Sequence, residues 1–137
     1  MIASIPTVLY VDDSTKSRRL LGSVLRDCRF EVITTADPTE AIENFRKLRF
    51  DVVLIDYQMP VMSGPELAQK MKAIHPEVPI VMLSGCAVLP DLELLGVDAH
   101  FGSGTSLDDL LVTLRTLSCS RAVKYDGATA SSWAEST

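Results

Sequence analysis

Asp51-Val52-Val53-Leu54-Ile55-Asp56-Tyr57-Gln58-Met59-Pro60 is the stretch on which the fold turns. Its four consecutive apolar residues, Val52 to Ile55, read as a strand buried on both faces. The strand delivers a carboxylate, Asp56, at its C-terminal end. The chain must turn there, because Pro60 cannot continue a ladder. In an open parallel sheet that end is where ligands bind, so Asp56 is a candidate site residue.

Working outward toward the N-terminus, Asp37-Pro38-Thr39-Glu40 is a helix start, with an acid at N-cap, proline at N1 and glutamate at N3. Ala41, Ile42, Phe45 and Leu48 form the stripe that this helix buries. Glu31 to Thr35 is a strand carried by Val32 and Ile33. Before it, Leu20, Leu21, Val24, Leu25 and Cys28 recur at helical spacing, with Ser14 or Thr15 as the cap. The first strand, Val8-Leu9-Tyr10-Val11, ends in Asp12-Asp13.

Toward the C-terminus, Ser63-Gly64-Pro65-Glu66 is a capping box, and its helix buries Leu67, Ala68, Met71 and Ile74 before stopping at His75-Pro76. Ile80 to Leu83 is a fourth strand ending at Ser84-Gly85. From Cys86 to Leu95 the pattern weakens, and only Asp91 to Leu95 has helical character. Val97 to Phe101 is a poor fifth strand. Ser106 caps a last helix that buries Leu107, Leu110, Leu111, Leu114 and Leu117, with Asp108 and Asp109 suiting the positive end of its dipole. Strand and helix alternate five times, a pattern that gives a parallel sheet with helices on both faces.

At 137 residues the chain is one domain by length, with 47% apolar and 23% charged residues. The domain is expected over 1–118. The small, polar stretch 119–137 is expected to be a mostly disordered tail. A net charge of −5 without a basic patch argues against a direct nucleic-acid partner. Cys28, Cys86 and Cys119 lie too far apart for a disulfide framework or a zinc site, and read as idle thiols in a reducing compartment. Met1 to Thr7 is too short and mixed for a signal peptide, and no apolar run approaches transmembrane length. The expectation is a soluble, cytoplasmic protein without a membrane partner.

Asp12, Asp13 and Asp56 come from the ends of two strands. If those strands are neighbours, the acids converge, repel and raise one another's pKa. A hard dication relieves that repulsion, and Mg²⁺ accepts carboxylates together with waters, a backbone carbonyl and phosphate oxygens. Ser84 ends the next strand with a hydroxyl facing the same crevice, and Gly85 leaves room beside it. Acid, metal and hydroxyl suit a phosphoryl group, and a carboxylate can itself become an acyl phosphate. Singly, each residue has a plainer explanation as a loop acid, helix cap or turn serine. Their joint placement at three strand ends is the signal.

These motifs resemble the receiver domain of two-component response regulators. Val8-Leu9-Tyr10-Val11-Asp12-Asp13 matches the opening motif, and Arg18-Arg19 falls where many members carry basic residues. Leu54 to Gly64 matches the phosphoacceptor motif, Val78 to Gly85 the fourth-strand motif, and Gly96-Val97-Asp98-Ala99 the approach to the fifth strand. The resemblance implies a (βα)5 flavodoxin-like fold, a doubly wound five-stranded parallel sheet of order 2-1-3-4-5. It implies that a histidine kinase or phosphotransfer protein donates a phosphoryl group to Asp56. Asp12, Asp13, Asp56 and the backbone carbonyl of Gln58 would hold Mg²⁺. Ser84 would follow the phosphoryl group inward, and Gln58 and Cys86 sit where members tune its hydrolysis.

Three departures stand out. Counting from Gly96-Val97-Asp98-Ala99, Ser103 takes the place of the family's fifth-strand lysine, whose ammonium pairs with the phosphoryl group; a serine hydroxyl cannot supply that charge. His100 occupies the position of the aromatic switch residue, where an imidazole could add pH sensitivity. The segment between Ser84 and Gly96 is about three residues shorter than usual, nearly one helical turn, so a shortened fourth helix is expected.

The expected function is that of a phosphoacceptor that signals by protein contact through an unidentified downstream partner, with dimerisation left open. It is not expected to be an enzyme beyond self-dephosphorylation. The alternative is a degenerate receiver that acts as a phosphorylation-independent interaction module. An aspartyl-phosphate hydrolase is disfavoured, because Gln58 stands where those enzymes carry a second acid.

Overall fold

The computed structural model describes residues 5–85, 96–102 and 105–127, with side chains as far as Cys119. The segment 86–95, expected to hold the shortened fourth helix and containing Cys86, lies outside the described residues, as do Ser103, Gly104 and 128–137. The elements are β1 (Thr7–Val11), α1 (Thr15–Asp27), β2 (Glu31–Thr35), α2 (Pro38–Lys47), β3 (Val52–Asp56), α3 (Gly64–Ile74), β4 (Ile80–Leu83), β5 (Ala99–Phe101) and α4 (Leu107–Gly127). Here α4 denotes the last helix.

The five strands form one parallel sheet of order β2-β1-β3-β4-β5. Alternation along the strands splits the core in two. Leu9, Val11, Val53, Ile55, Ile80 and Met82 face Ala41 and Phe45 of α2 and Leu67, Ala68 and Met71 of α3. Val8, Tyr10, Val52, Leu54 and Val81 face Leu25 of α1 and Leu110 and Leu114 of α4. Two covered faces explain why β3 is apolar from Val52 to Ile55, all fully buried, before it ends in Asp56.

The local signals act where they were expected. Ser14, Asp37 and Ser63 cap α1, α2 and α3, each accepting a backbone N–H with its side chain. His75 caps the C-terminus of α3. The β5 strand is shorter than Val97 to Phe101, because Asp98 replaces its first rungs with a side-chain clamp. Its N–H donates to the Ile80 carbonyl at 2.8 Å, and its Oδ2 accepts from Ile80 N at 2.7 Å and Lys72 Nζ at 2.9 Å. Gly96 turns the chain into that clamp with φ +81, and a Cβ there would sit 3.1 Å from Lys72 Cγ.

Three expectations need correction. Leu20, which shares the helical spacing of Leu21, Val24 and Leu25, is exposed and lines a cavity instead of packing into the core. Leu48 is exposed because the chain has already left the helix: it is the C-cap of α2, with φ −113 and ψ 156. Leu107, the first residue of α4, is also exposed. The helix that begins at Leu107, α4, extends to Gly127.

Candidate functional site

The β1–β3 pairing brings the acids together. Val11 pairs with Ile55, so the residues that follow, Asp12-Asp13 and Asp56, leave the sheet side by side. Asp12, Asp13 and Asp56 each offer a carboxylate oxygen, and these atoms all lie within 4.8 Å of one another. Asp12 is buried, Asp56 half-buried and Asp13 exposed, so the cluster grades from the sheet outward to solvent.

Asp12 is held at both ends. Its Oδ1 accepts from Ser14 N at 2.9 Å, which starts α1, and its Oδ2 accepts from the Tyr10 hydroxyl at 2.7 Å. Its main-chain carbonyl accepts from Arg18 Nη1 at 2.8 Å. Asp56 is pushed up from its ordinary 3.8 to about 6. Burial is the largest cause, followed by the charges of Asp12 and Asp13; the backbone N–H groups of Gln58 and Tyr57 oppose it. Tyr10 is pushed upward as well, first by burial, then by its bond to Asp12 and the negative charges around it.

The loop after β3 is shaped by close backbone approach. Tyr57 N donates to Leu83 O at 2.7 Å, and Gly64 N donates to Tyr57 O at 2.9 Å. A Cβ on Gly64 would lie 2.5 Å from the Asp56 carbonyl oxygen and 2.9 Å from Tyr57 Cα. Glycine is therefore what lets α3 start directly beneath the site. An open cleft of roughly 760 Å³ is lined by Asp13, Asp56, Gln58, Ser63 and Gly85 among others. On the other side of Asp56, a cavity of roughly 460 Å³ is lined by Tyr10, Asp12, Asp56, Ser84, Phe101 and Gly102 with apolar residues of α1.

The expected residues thus gather as follows. Asp12, Asp13 and Asp56 share one cluster, Ser84 is buried beside Asp56, and Gln58 lies on the rim of the open cleft. Ser84 N donates to Phe101 O at 2.9 Å, which ties the serine to β5. His100 is half-buried on β5 opposite Met82, and its Nε2 is buried with no hydrogen-bond partner among the described residues. Ser103 lies outside the described residues. Sequence reasoning missed Tyr10, which it took for a plain strand residue. The available signal was its position two before Asp12, which puts both side chains on one face.

The donor set fits a hard dication: all three groups are carboxylates, they are close enough to share one ion, and burial together with the charges of Asp12 and Asp13 disfavours a bare charge on Asp56.

A parallel sheet of this order with an acid cluster at its C-terminal edge defines a receiver-type α/β domain. The family model described as "Response regulator receiver domain" matches residues 8–98, and the chain belongs to that family, whose role is in two-component signalling. The chain is similar to the autoinducer 1 sensor kinase/phosphatase LuxN of Vibrio harveyi, with 34% identity over 107 residues, covering 77% of this chain and 13% of LuxN. It is 33% identical over 136 residues to the transcriptional regulatory protein PrrA of Mycobacterium leprae, covering 96% of this chain and 56% of PrrA. The chain therefore spans only part of these curated relatives.

Solved structures agree. A CheY-like receiver domain protein from Methanospirillum hungatei superposes with a TM-score of 0.81 at 26% identity, over 88% of this chain and 99% of that one. The Thermotoga maritima response regulator TrrA, solved with Mg²⁺ and BeF, gives 0.77 at 26% identity, over 82% and 98%. Among the described residues, no helix is long and apolar enough to cross a membrane.

Proposed function

We propose that this domain accepts a phosphoryl group on Asp56 from the phosphohistidine of a sensor kinase or phosphotransfer protein, and signals by protein contact. The observation that carries the reading is the convergence of three carboxylates within 4.8 Å at the ends of β1 and β3. Asp56 is the acid that faces both cavities, so a phosphoryl donor in the open cleft can reach it while Ser84 lines the opposite side. Its carboxylate oxygen forms the new P–O bond as the donor's P–N bond breaks, with the electron pair leaving on the imidazole nitrogen. Asp12, Asp13, Asp56 and the Gln58 carbonyl would hold Mg²⁺, which when bound neutralises charge on acids and phosphoryl oxygens. The Ser84 hydroxyl donates to one phosphoryl oxygen, and its backbone bond to Phe101 passes any inward movement to β5.

The test is incubation with Mg²⁺ and acetyl phosphate, followed by intact mass, with Asp56→Asn as control. A phosphoryl adduct that requires both Asp56 and Mg²⁺ is expected. A folded protein that forms no adduct and binds no beryllofluoride would instead be a phosphorylation-independent interaction module.

A further inference from the structure

Tyr10 is the largest fully buried side chain on β1, in a strand otherwise built of Thr, Val and Leu. Its ring fills space between the sheet and the α1–α4 layer, a task that phenylalanine would do equally well. A buried phenol must also find a partner for its hydroxyl, or its desolvation goes unrecovered. Here the partner is a carboxylate. It is Oδ2 of Asp12, at 2.7 Å, inside the cavity that Asp56 and Ser84 also line.

The geometry at Asp12 makes this contact more than a satisfied core hydroxyl. The Ser14 N–H takes one carboxylate oxygen and Tyr10 takes the other, so the plane of the carboxylate is fixed from both sides. Each oxygen keeps a free lone pair, because a carboxylate oxygen accepts twice. Arg18 fixes the main chain at the same residue.

We propose that Tyr10 is a positioning residue of this site: its hydroxyl holds Asp12 in the orientation from which it shares a dication with Asp13 and Asp56. The inference rests on the reading of the cluster as a dication and phosphoryl site. Tyr10 acts through Asp12 and needs no contact with the phosphoryl group.

The experiment is Mg²⁺ titration by calorimetry on the full chain, comparing wild type, Tyr10→Phe and Leu54→Val. Tyr10→Phe removes one oxygen and keeps the ring. Leu54→Val loosens the same core at the residue paired with Tyr10 without touching an acid. Groups that orient metal ligands are typically worth roughly 10- to 100-fold in affinity, and a loss in that range is expected for Tyr10→Phe. Leu54→Val should stay within about two-fold of wild type, because it removes no hydrogen bond to Asp12. Thermal melts report whether each variant is folded. Wild-type affinity retained in Tyr10→Phe overturns the proposal, as does an equal loss in Leu54→Val, which would make affinity a property of core stability. A wild type that binds no Mg²⁺ overturns the underlying reading of the site instead.

Discussion

Replacing Asp56 with asparagine should make the metal-free protein more stable at neutral pH, although it removes the proposed phosphoacceptor. The carboxylate is raised from 3.8 to about 6 because burial and two neighbouring acids disfavour its charge. A pKa raised in the folded state means that stability is fully present below the unfolded value, near pH 4, and is lost as pH rises through about 6. Roughly two pH units at 1.36 kcal/mol each set a ceiling near 3 kcal/mol. Asp56 is only half-buried, so solvent screens part of this, and about 1–2 kcal/mol is the expected gain. The amide oxygen of asparagine can still accept the N–H groups of Gln58 and Tyr57, so little is lost in exchange. For a domain of this size the gain corresponds to a melting temperature higher by about 3–8 °C.

The assay is thermal unfolding in EDTA from pH 4 to pH 8, followed by the same series with Mg²⁺. The gap between variant and wild type should be widest above pH 6 and should shrink toward pH 4, closing only below the ordinary value of 3.8, where Asp56 is protonated in the unfolded chain as well. Mg²⁺ should narrow it from the other side by stabilising the wild type more. An Asp56→Asn protein that is no more stable at pH 8, or a gap that does not change with pH, would refute the picture of a strained acid cluster.

Two further predictions concern the frame of the site. Gly64→Ala drives a Cβ to 2.5 Å from the Asp56 carbonyl oxygen and 2.7 Å from Met82 Sδ, so urea unfolding should show a loss of about 2–3 kcal/mol. Acetyl phosphate labelling should fall in the same variant, because the loop carrying Asp56 must shift. His100→Phe exchanges a buried nitrogen without a partner among the described residues for an apolar ring, and should raise stability by about 1 kcal/mol in urea unfolding. A loss of that size would mean that His100 Nε2 makes a hydrogen bond in solution.

Much of the architecture was legible because its causes are local. The apolar runs of β1, β3 and β4, the cap at Asp37 and the capping box at Ser63 act within a few residues, and their boundaries fell where chain chemistry puts them. Leu20, Leu48 and Leu107 misled for the opposite reason. Periodicity says which face of a helix a residue occupies, but not whether the sheet extends far enough to cover it. Asp98 was read only as part of a motif, since its pairing with Ile80 and Lys72 joins positions far apart in the chain.

The acids divide the same way. Residue type and strand-end position, both written in the chain, made Asp12, Asp13 and Asp56 candidates for one dication, and Ser84 a candidate neighbour. Their meeting depended on β3 pairing with β1 while β2 takes the outer edge, a choice made by how helices cover both faces. Only that arrangement buries Asp56 against two like charges and raises its pKa. Only it turns the Tyr10 hydroxyl from a side chain on an apolar strand into a donor for Asp12. Residue identity determined which groups were available for chemistry. Long-range strand pairing decided which of them share a charge environment, because electrostatic coupling depends on distance through space and not along the chain.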